Sequence, residues 1–127
     1  MKIIIGVLLV LTAVLFAGCE SEPEIDVYAN ISGFMRYFNM GDMNTARTFL
    51  SAELNSPMDM QVLAGTRISL IDEIGVFMRH DRPVAVVDDD SGEIWFYEVH
   101  AQHTDGTVTY FLHIDENGKI YEISLGQ

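Results

Sequence analysis

Residues 94–125 read IWFYEVHAQHTDGTVTYFLHIDENGKIYEISL and carry the strongest structural signal in the chain. The segment contains three runs in which apolar and polar residues alternate, and such alternation predicts half-buried β-strands. Asp105-Gly106 separates the first two runs and Asn117-Gly118 separates the last two, and both dipeptides are typical of tight two-residue hairpin turns. The sequence therefore predicts an antiparallel meander of three strands, Ile94–His103, Val108–Asp115 and Ile120–Leu125.

The two turns also predict which side chains share a face of this sheet. With two-residue turns at both dipeptides, His113 faces Glu98 on one neighbouring strand and Glu122 on the other. One face is then almost entirely apolar or aromatic, and we expect it to pack on the helices. Its members are Trp95, Tyr97, Val99, Ala101, Val108, Tyr110, Leu112, Ile114, Tyr121, Ile123 and Leu125.

The segment before the meander begins with helical periodicity. Apolar residues from Val27 to Phe38 recur at steps of three and four, and Gly41 is placed as the left-handed cap that closes this helix. Asp42 is placed to cap a second helix, whose apolar face continues to Leu54 until Ser56-Pro57 breaks it. The chain therefore opens with at least two helices.

The pattern between Pro57 and the meander is less regular. Residues 58–64 predict a short third helical segment that Gly65 ends. Apolar residues from Ile68 to Met78 then alternate and predict one long strand, and Val84–Val87 predicts a short one. Together these elements predict an α+β fold, with two or three N-terminal helices packed on a curved, mostly antiparallel sheet of four to five strands.

Two segments resemble nuclear-transport-factor-2-like (cystatin-like cone) domains, and several uncharacterised small lipoprotein families are similar. The closing hairpin of those domains resembles Val108 to Ile123, and their helix–Gly-Asp–helix opening resembles Phe34…Phe38-Asn39-Met40-Gly41-Asp42…Ala46…Leu50. The resemblance implies a sheet that curves around a cavity, and dimers that form sheet to sheet. It selects no activity, because the superfamily includes isomerases, cyclases, dehydratases and transport adaptors.

The N-terminal segment has the pattern of a secretory signal. Lys2 precedes an apolar run that ends in Leu15-Phe16-Ala17-Gly18-Cys19, which contains the only cysteine of the chain. A cysteine after small residues resembles the lipobox of prokaryotic lipoproteins. That resemblance implies removal of residues 1–18 as a signal peptide, acylation of Cys19 with chains such as palmitate, and a membrane anchor facing outside the cytoplasm. Residues 19–24 then form the lipidated end and an acidic tether, and residues 25–127 form the domain.

The charge of the chain limits its partners. Seven Lys and Arg residues against nineteen Asp and Glu residues give a formal net charge of −12. Binding to nucleic acid requires a basic surface, so the composition excludes nucleic acid as a partner. An anionic membrane surface repels the same charge, so attachment to the membrane depends on the lipid anchor.

Evidence for catalysis in the sequence is weak. No nucleophile–histidine set, phosphate-binding loop or heme motif is present, and we expect no cofactor. Asp72 interrupts the apolar alternation between Leu70 and Ile74, and in an apolar pocket it would be a candidate general base of an isomerase or dehydratase. The alternative is a bulge or strand end that turns Asp72 to water. Aromatic residues of the inner face would line the ligand cavity: Trp95, Tyr97, Tyr110 and Tyr121.

The other face of the sheet carries two candidate sites. One is a divalent-metal site, for which the alternative is a ladder of cross-strand ion pairs; it would consist of Glu98, His100, His113 and Glu122. The second is an apolar patch, which predicts an interface with a protein partner or a second copy of the chain. Its members would be Ile94, Phe96, Phe111 and Ile120.

The residues favour a lipid-anchored, non-enzymatic domain that binds a small ligand in the cavity or a protein through the sheet. The enzyme based on Asp72 and the metal-binding domain are the two alternatives.

Overall fold

The computed structural model describes residues 25–126, which form an α+β fold of three helices followed by a five-stranded antiparallel sheet. This confirms the predicted fold class. The predicted signal and Cys19 lie outside the described residues. Among the helices of residues 25–126, none has the length and apolar character to cross a bilayer. The elements are α1 Val27–Met40, α2 Met43–Ala46, α3 Pro57–Ile74, β1 Phe77–His80, β2 Val84–Val87, β3 Ile94–His103, β4 Gly106–Ile114 and β5 Ile120–Gly126.

The sheet is organised around β3. Both β1 and β2 pair with the same edge of this strand, β1 near its end and β2 near its beginning. The opposite edge of β3 pairs with β4, which in turn pairs with β5, and every pairing is antiparallel. The ten residues of β3 therefore serve as the common partner for three strands.

The end of the first helix and the start of the second lie where the sequence predicts. Gly41 ends α1 in the left-handed conformation, with φ of 82°, and its backbone N–H donates to Phe38. Asp42 caps α2, because its carboxylate accepts a hydrogen bond from the Thr45 backbone N–H at 3.1 Å. Both caps satisfy backbone groups that the helix ends leave unpaired.

The second helix is much shorter than predicted. It ends at Ala46 and gives way to 3₁₀ turns at Arg47–Phe49 and Ala52–Leu54. Between these turns Leu50 is extended and pairs with Ile120, and the Ser51 N–H donates to the Ile120 carbonyl at 2.8 Å. Pairing with the edge of β5 therefore replaces the helical hydrogen bonds.

The long strand predicted from Ile68 to Met78 is wrong for most of its length. Residues 57–74 form one helix of 18 residues, with Ser56 and Asp59 in a capping box, and Gly65 lies in its interior. The residues of α3 that contact the core do recur at helical spacing; they are Met60, Leu63, Leu70 and Ile74. Exposed apolar residues on the rest of α3 hide this period; they are Met58, Val62 and Ile68. Of the predicted strand, only Phe77 and Met78 are in a strand, as the first two residues of β1.

The first hairpin turns one residue earlier than predicted. His103 pairs with Gly106, so Thr104 and Asp105 form the turn, and Glu98 lies opposite Phe111 rather than His113. The Asp105 N–H donates to the carbonyl of Ile74 at 2.8 Å, which ties the turn to the end of α3. Each residue of β3 therefore pairs with a residue of β4 two positions earlier than predicted, and an even shift leaves the side chains of both strands on their predicted faces.

The second hairpin has the predicted register along most of its length and a bulge beside its turn. His113 lies opposite Glu122, as predicted, but Ile114 pairs with Ile120 and leaves Tyr121 as an extra residue. The turn has three residues rather than two, because the Asp115 N–H donates to the Lys119 carbonyl at 2.8 Å. The Asp115 carboxylate also accepts hydrogen bonds from the backbone N–H groups of Asn117 and Lys119, at 2.9 Å each.

The core lies between α1 and one face of the sheet. Phe34 and Phe38 of α1 stack on each other, and the Phe38 ring lies nearly perpendicular to the ring of Tyr110 on β4, with centroids 6.1 Å apart. The fully buried large side chains are Tyr110, Phe34, Phe38, Ile31, Met35, Leu112, Ile120, Val99 and Val108. Most of the predicted inner face therefore does pack on the helices.

Candidate functional site

The environment predicted for Asp72 is not present. Asp72 lies on α3 and is exposed, so it neither belongs to the sheet nor faces the interior. The alternation that suggested an inward position arises within a helix, where residues two apart point in different directions. The enzyme hypothesis thus loses the carboxylate on which it was based.

The four aromatic residues predicted to line a cavity do not line one cavity together. Tyr97 and Tyr110 are buried, whereas the side chain of Trp95 is 58% exposed and that of Tyr121 is 38% exposed. Tyr121 is the extra residue of the bulge and lies beside His113 on the outer face, which explains its position.

A small apolar cavity of about 160 Å³ does lie between α1, α3 and the last two strands. Tyr110 is one of its lining residues, and Trp95, Tyr97 and Tyr121 are not. Pockets for small-molecule ligands usually have volumes of about 300–1,000 Å³. The cavity is therefore small for the ligand that the sequence led us to expect.

Burial raises the pKa of the Tyr110 hydroxyl above its ordinary value. The nearby Asn39 side chain lowers that pKa by a smaller amount, although it does not form a hydrogen bond with the hydroxyl. The hydroxyl finds no hydrogen-bond partner among the described residues. The pKa of Tyr97 is also raised, first by burial and second by the nearby Tyr28.

The four residues of the predicted metal site form two separate pairs. His113 Nε2 lies 3.5 Å from the Glu122 carboxylate, and His100 Nε2 lies 4.0 Å from that of Glu98. The earlier turn of the first hairpin separates the pairs, because it places Phe111 opposite Glu98. Within residues 25–126 no group of three or more histidine, cysteine or carboxylate side chains could hold a metal ion. His113 and Glu122 form the kind of cross-strand pair that the alternative predicts, whereas Glu98 and His100 are neighbours on the same strand, β3.

The outer face of the sheet carries a continuous row of rings across three strands. The Phe96 ring meets Phe111 edge to face with centroids 5.8 Å apart, and its centroid is 5.5 Å from that of His113. The His113 ring is in turn 5.8 Å from Tyr121. We call these four residues the outer-face cluster. None of them belongs to the hydrophobic core or to the partly buried residues packed against it.

Aliphatic side chains extend the cluster along the strands. Val84 pairs with Glu98 and is 56% exposed, and Ile94, at the start of β3, is 51% exposed. Three of the four predicted interface residues, Ile94, Phe96 and Phe111, are therefore partly or largely exposed on the sheet.

Ile120, the fourth predicted interface residue, is wrongly assigned, because its side chain is fully buried. Its pairing with Ile114 turns it to the core and turns Tyr121 outward. Sequence reasoning also missed Val84, although it predicted the strand, because nothing local fixed the partner of that strand. It missed Tyr121 because the alternation of β5 gives no sign of a bulge.

Carboxylates share the outer face with the cluster. Glu98 lies opposite Phe111, and Glu122 lies opposite His113. The turn before β3 adds Asp88, Asp89, Asp90 and Glu93, close in sequence to Ile94. The outer face thus combines partly exposed rings with carboxylates that lie between and beside them.

Comparison with known proteins gives no match to a family model, to a curated protein or to a solved structure. The outer-face cluster and the acidic residues around it are therefore the observations on which a function can be based.

Proposed function

We propose that this chain is a lipid-anchored, extracytoplasmic binding protein, and that it binds a protein partner through the outer-face cluster. The partner has an apolar surface bordered by basic side chains. The observation that carries the proposal is the row of four rings, Phe96, Phe111, His113 and Tyr121, which the core does not use.

Aromatic side chains on a rigid sheet are suited to this role. Single exposed apolar residues are common on protein surfaces, whereas a contiguous group across three strands is typical of an interaction site. Aromatic residues also dominate the binding energy of many interfaces, because they bury much area and lose little rotamer freedom. Phe96 and Phe111 are already held against each other, so binding would order few additional side chains.

The charge of the chain favours a basic partner over a second copy. Two copies with a net charge of −12 each repel one another, and Glu98 and Glu122 would lie within such an interface. A partner with basic side chains at the matching positions would be attracted at long range and would pair with these carboxylates.

The lipoprotein pattern at Leu15 to Cys19 supports the location in this proposal. A tether of about five residues reaches about 17 Å when fully extended, so the domain would stay close to the bilayer. The partner would therefore be a protein of the membrane or of its immediate vicinity.

Site-specific crosslinking in the source organism tests the proposal. The full chain would carry Phe111→p-benzoylphenylalanine, and the control would carry the same residue at Ile68, which is exposed on α3. We expect one discrete adduct at the first position and none at the control position. Mass spectrometry of the adduct would identify a partner with a basic surface.

A second variant shows whether the adduct depends on the apolar face. Phe96→Asp, added to the Phe111 crosslinking variant, is expected to remove the adduct, and circular dichroism would confirm that the domain still folds. The proposal fails if no adduct forms, if the adduct survives Phe96→Asp, or if its mass is that of two copies of this chain.

A further inference from the structure

An open groove lies between α1 and β1, away from the outer face. It has a volume of about 450 Å³ and shares no residue with the outer-face cluster. Its lining comes from one side of α1 and from the first strand: Ser32, Arg36, Asn39, Met40, Phe77, Arg79 and His80. Apolar atoms make up most of the accessible lining, and Met40 is one of the most exposed apolar residues of the domain.

The groove brings two arginines together in an acidic chain. Among the described residues, no carboxylate lies within ion-pair distance of Arg36, and Arg79 forms a single exposed pair with Asp81 at 3.7 Å. The positive charge of Arg36 is therefore not neutralised by a direct partner. This is unusual for a chain in which nineteen carboxylates face seven cations.

Several other basic residues are held by hydrogen bonds within the described part of the chain, whereas Arg36 is not. Each of three cations elsewhere donates a hydrogen bond to another part of the fold; they are Arg47, Arg67 and Lys119. Arg36 donates none among the described residues, and its guanidinium lies 5.5 Å from the centre of the Tyr37 ring. A guanidinium held over a ring keeps its N–H groups free, and the planar set of donors matches a carboxylate.

From this geometry we infer that the groove binds a small organic anion with an apolar body, in which a carboxylate meets Arg36 and the apolar part lies along Met40 and Phe77. The volume lies within the range of about 300–1,000 Å³ that is typical of small-molecule pockets. The net negative charge of the chain repels anions at long range, so it favours a singly charged ligand that gains most of its affinity from apolar contact.

Titration calorimetry with three probes tests the inference on the purified protein and on its Arg36 and Arg82 variants. The probes are decanoate, decanol and decyltrimethylammonium, which share a chain of ten carbons and have a negative, a neutral and a positive head group. We expect saturable binding of decanoate, binding of decanol at least tenfold weaker, and no binding of decyltrimethylammonium. Arg36→Gln is expected to weaken decanoate binding by about tenfold, the effect of removing one charge-assisted hydrogen-bonded partner.

Arg82→Gln is the matched control. Arg82 also lies over a tyrosine ring, with its guanidinium 5.2 Å from the centre of Tyr28, and it has no carboxylate partner among the described residues, but it does not line the groove. This variant removes the same charge and should change decanoate binding by less than twofold. The inference is overturned if decanoate does not bind, if the three probes bind equally, or if the two arginine variants weaken binding equally. The crosslinking result at Phe111 does not bear on any of these outcomes.

Discussion

Tyr110 is a core residue whose burial leaves its hydroxyl group without a hydrogen bond among the described residues. Its ring packs against Phe38 at the centre of the domain, while its hydroxyl is buried without a partner among the described residues. A buried hydroxyl without a hydrogen bond loses its interaction with water and gains nothing in return. Most buried hydroxyl groups are hydrogen-bonded, and within residues 25–126 this one is not. The packing of the aromatic ring therefore accounts for the burial of Tyr110.

Tyr110→Phe is therefore expected to leave the free energy of unfolding at pH 7 unchanged or to raise it by up to about 1 kcal/mol. Burial raises the folded-state pKa of this hydroxyl above 10.0, so the folded state favours the neutral form over the ionised form. The stability that depends on the neutral form is fully present below pH 10 and is lost as the pH rises from there toward the folded-state pKa. Urea unfolding at pH 7, 9, 10 and 11 would show a fall above pH 10 that Tyr110→Phe reduces. Tyr121→Phe on the outer face is the control. A loss of more than 1 kcal/mol at pH 7 would mean that the hydroxyl does have a partner.

The helix α3 is the element that sequence reasoning assigned least well. A capping box begins it at Ser56, and its contacts with the core come from residues at helical spacing. Exposed apolar residues at Val62 and Ile68 weaken the contrast between its two faces. Local alternation from Ile68 onward therefore favoured a strand, and only the packing of the whole segment on the core favours the helix.

A substitution at Gly65 tests whether α3 continues through this position, as in the structure, or ends there, as the sequence predicts. It lies inside α3, and a Cβ atom added there would meet nothing within 4 Å. Gly65→Ala is expected to raise the free energy of unfolding by about 0.5–1 kcal/mol, because alanine loses less conformational entropy in a helix.

Gly41→Ala is the opposite control for Gly65→Ala. Gly41 has φ of 82° at the end of α1, and its added Cβ would lie 3.1 Å from the Arg67 guanidinium, so this change is expected to lower stability by about 1 kcal/mol or more. Chemical denaturation of both variants is the measurement. A destabilising Gly65→Ala would contradict the helical assignment and would favour a helix that ends at residue 65.

At the scale of the whole molecule, the two faces of the sheet have different uses. The inner face of β3 and β4 packs on α1 and forms the core, with Val99 and Leu112 fully buried. The outer face keeps its rings partly exposed, and the groove beside β1 gathers positive charge on an otherwise acidic molecule. The proposed partner and the proposed anion would therefore bind at separate places, and a tether of about five residues would hold both near a membrane.

The proposed anchor predicts where the molecule is found. In membranes of the source organism, the wild-type chain is expected to enter the detergent phase, whereas Cys19→Ala is expected to stay in the aqueous phase because the acidic domain has no affinity for an anionic bilayer. Ser21→Ala, two residues along the tether, should behave like the wild type. Retention of Cys19→Ala in the detergent phase would contradict lipid anchoring at this residue.

The sequence by itself determined which side chains of the first hairpin, β3 and β4, face the core. Side chains along a strand point alternately to the two faces, so the parity of a position decides its face, and the one-residue displacement of the first turn left that parity intact. Caps such as Gly41 and Asp42 were also predictable, because they depend on residues only three or four positions away.

Tertiary structure alone decided the helical state of residues 66–74, the exact pairing of the hairpins and the position of Ile120. The first hairpin turn is held by the carbonyl of Ile74, and Ile120 is paired with Ile114 and with Leu50, seventy residues earlier in the chain. The groove likewise exists only because α1 and β1, far apart in sequence, lie side by side and place Arg36 and Arg79 in its lining. Periodicity and turn dipeptides report on neighbours along the chain, whereas these features depend on contacts that exist only after the helices have packed on the sheet.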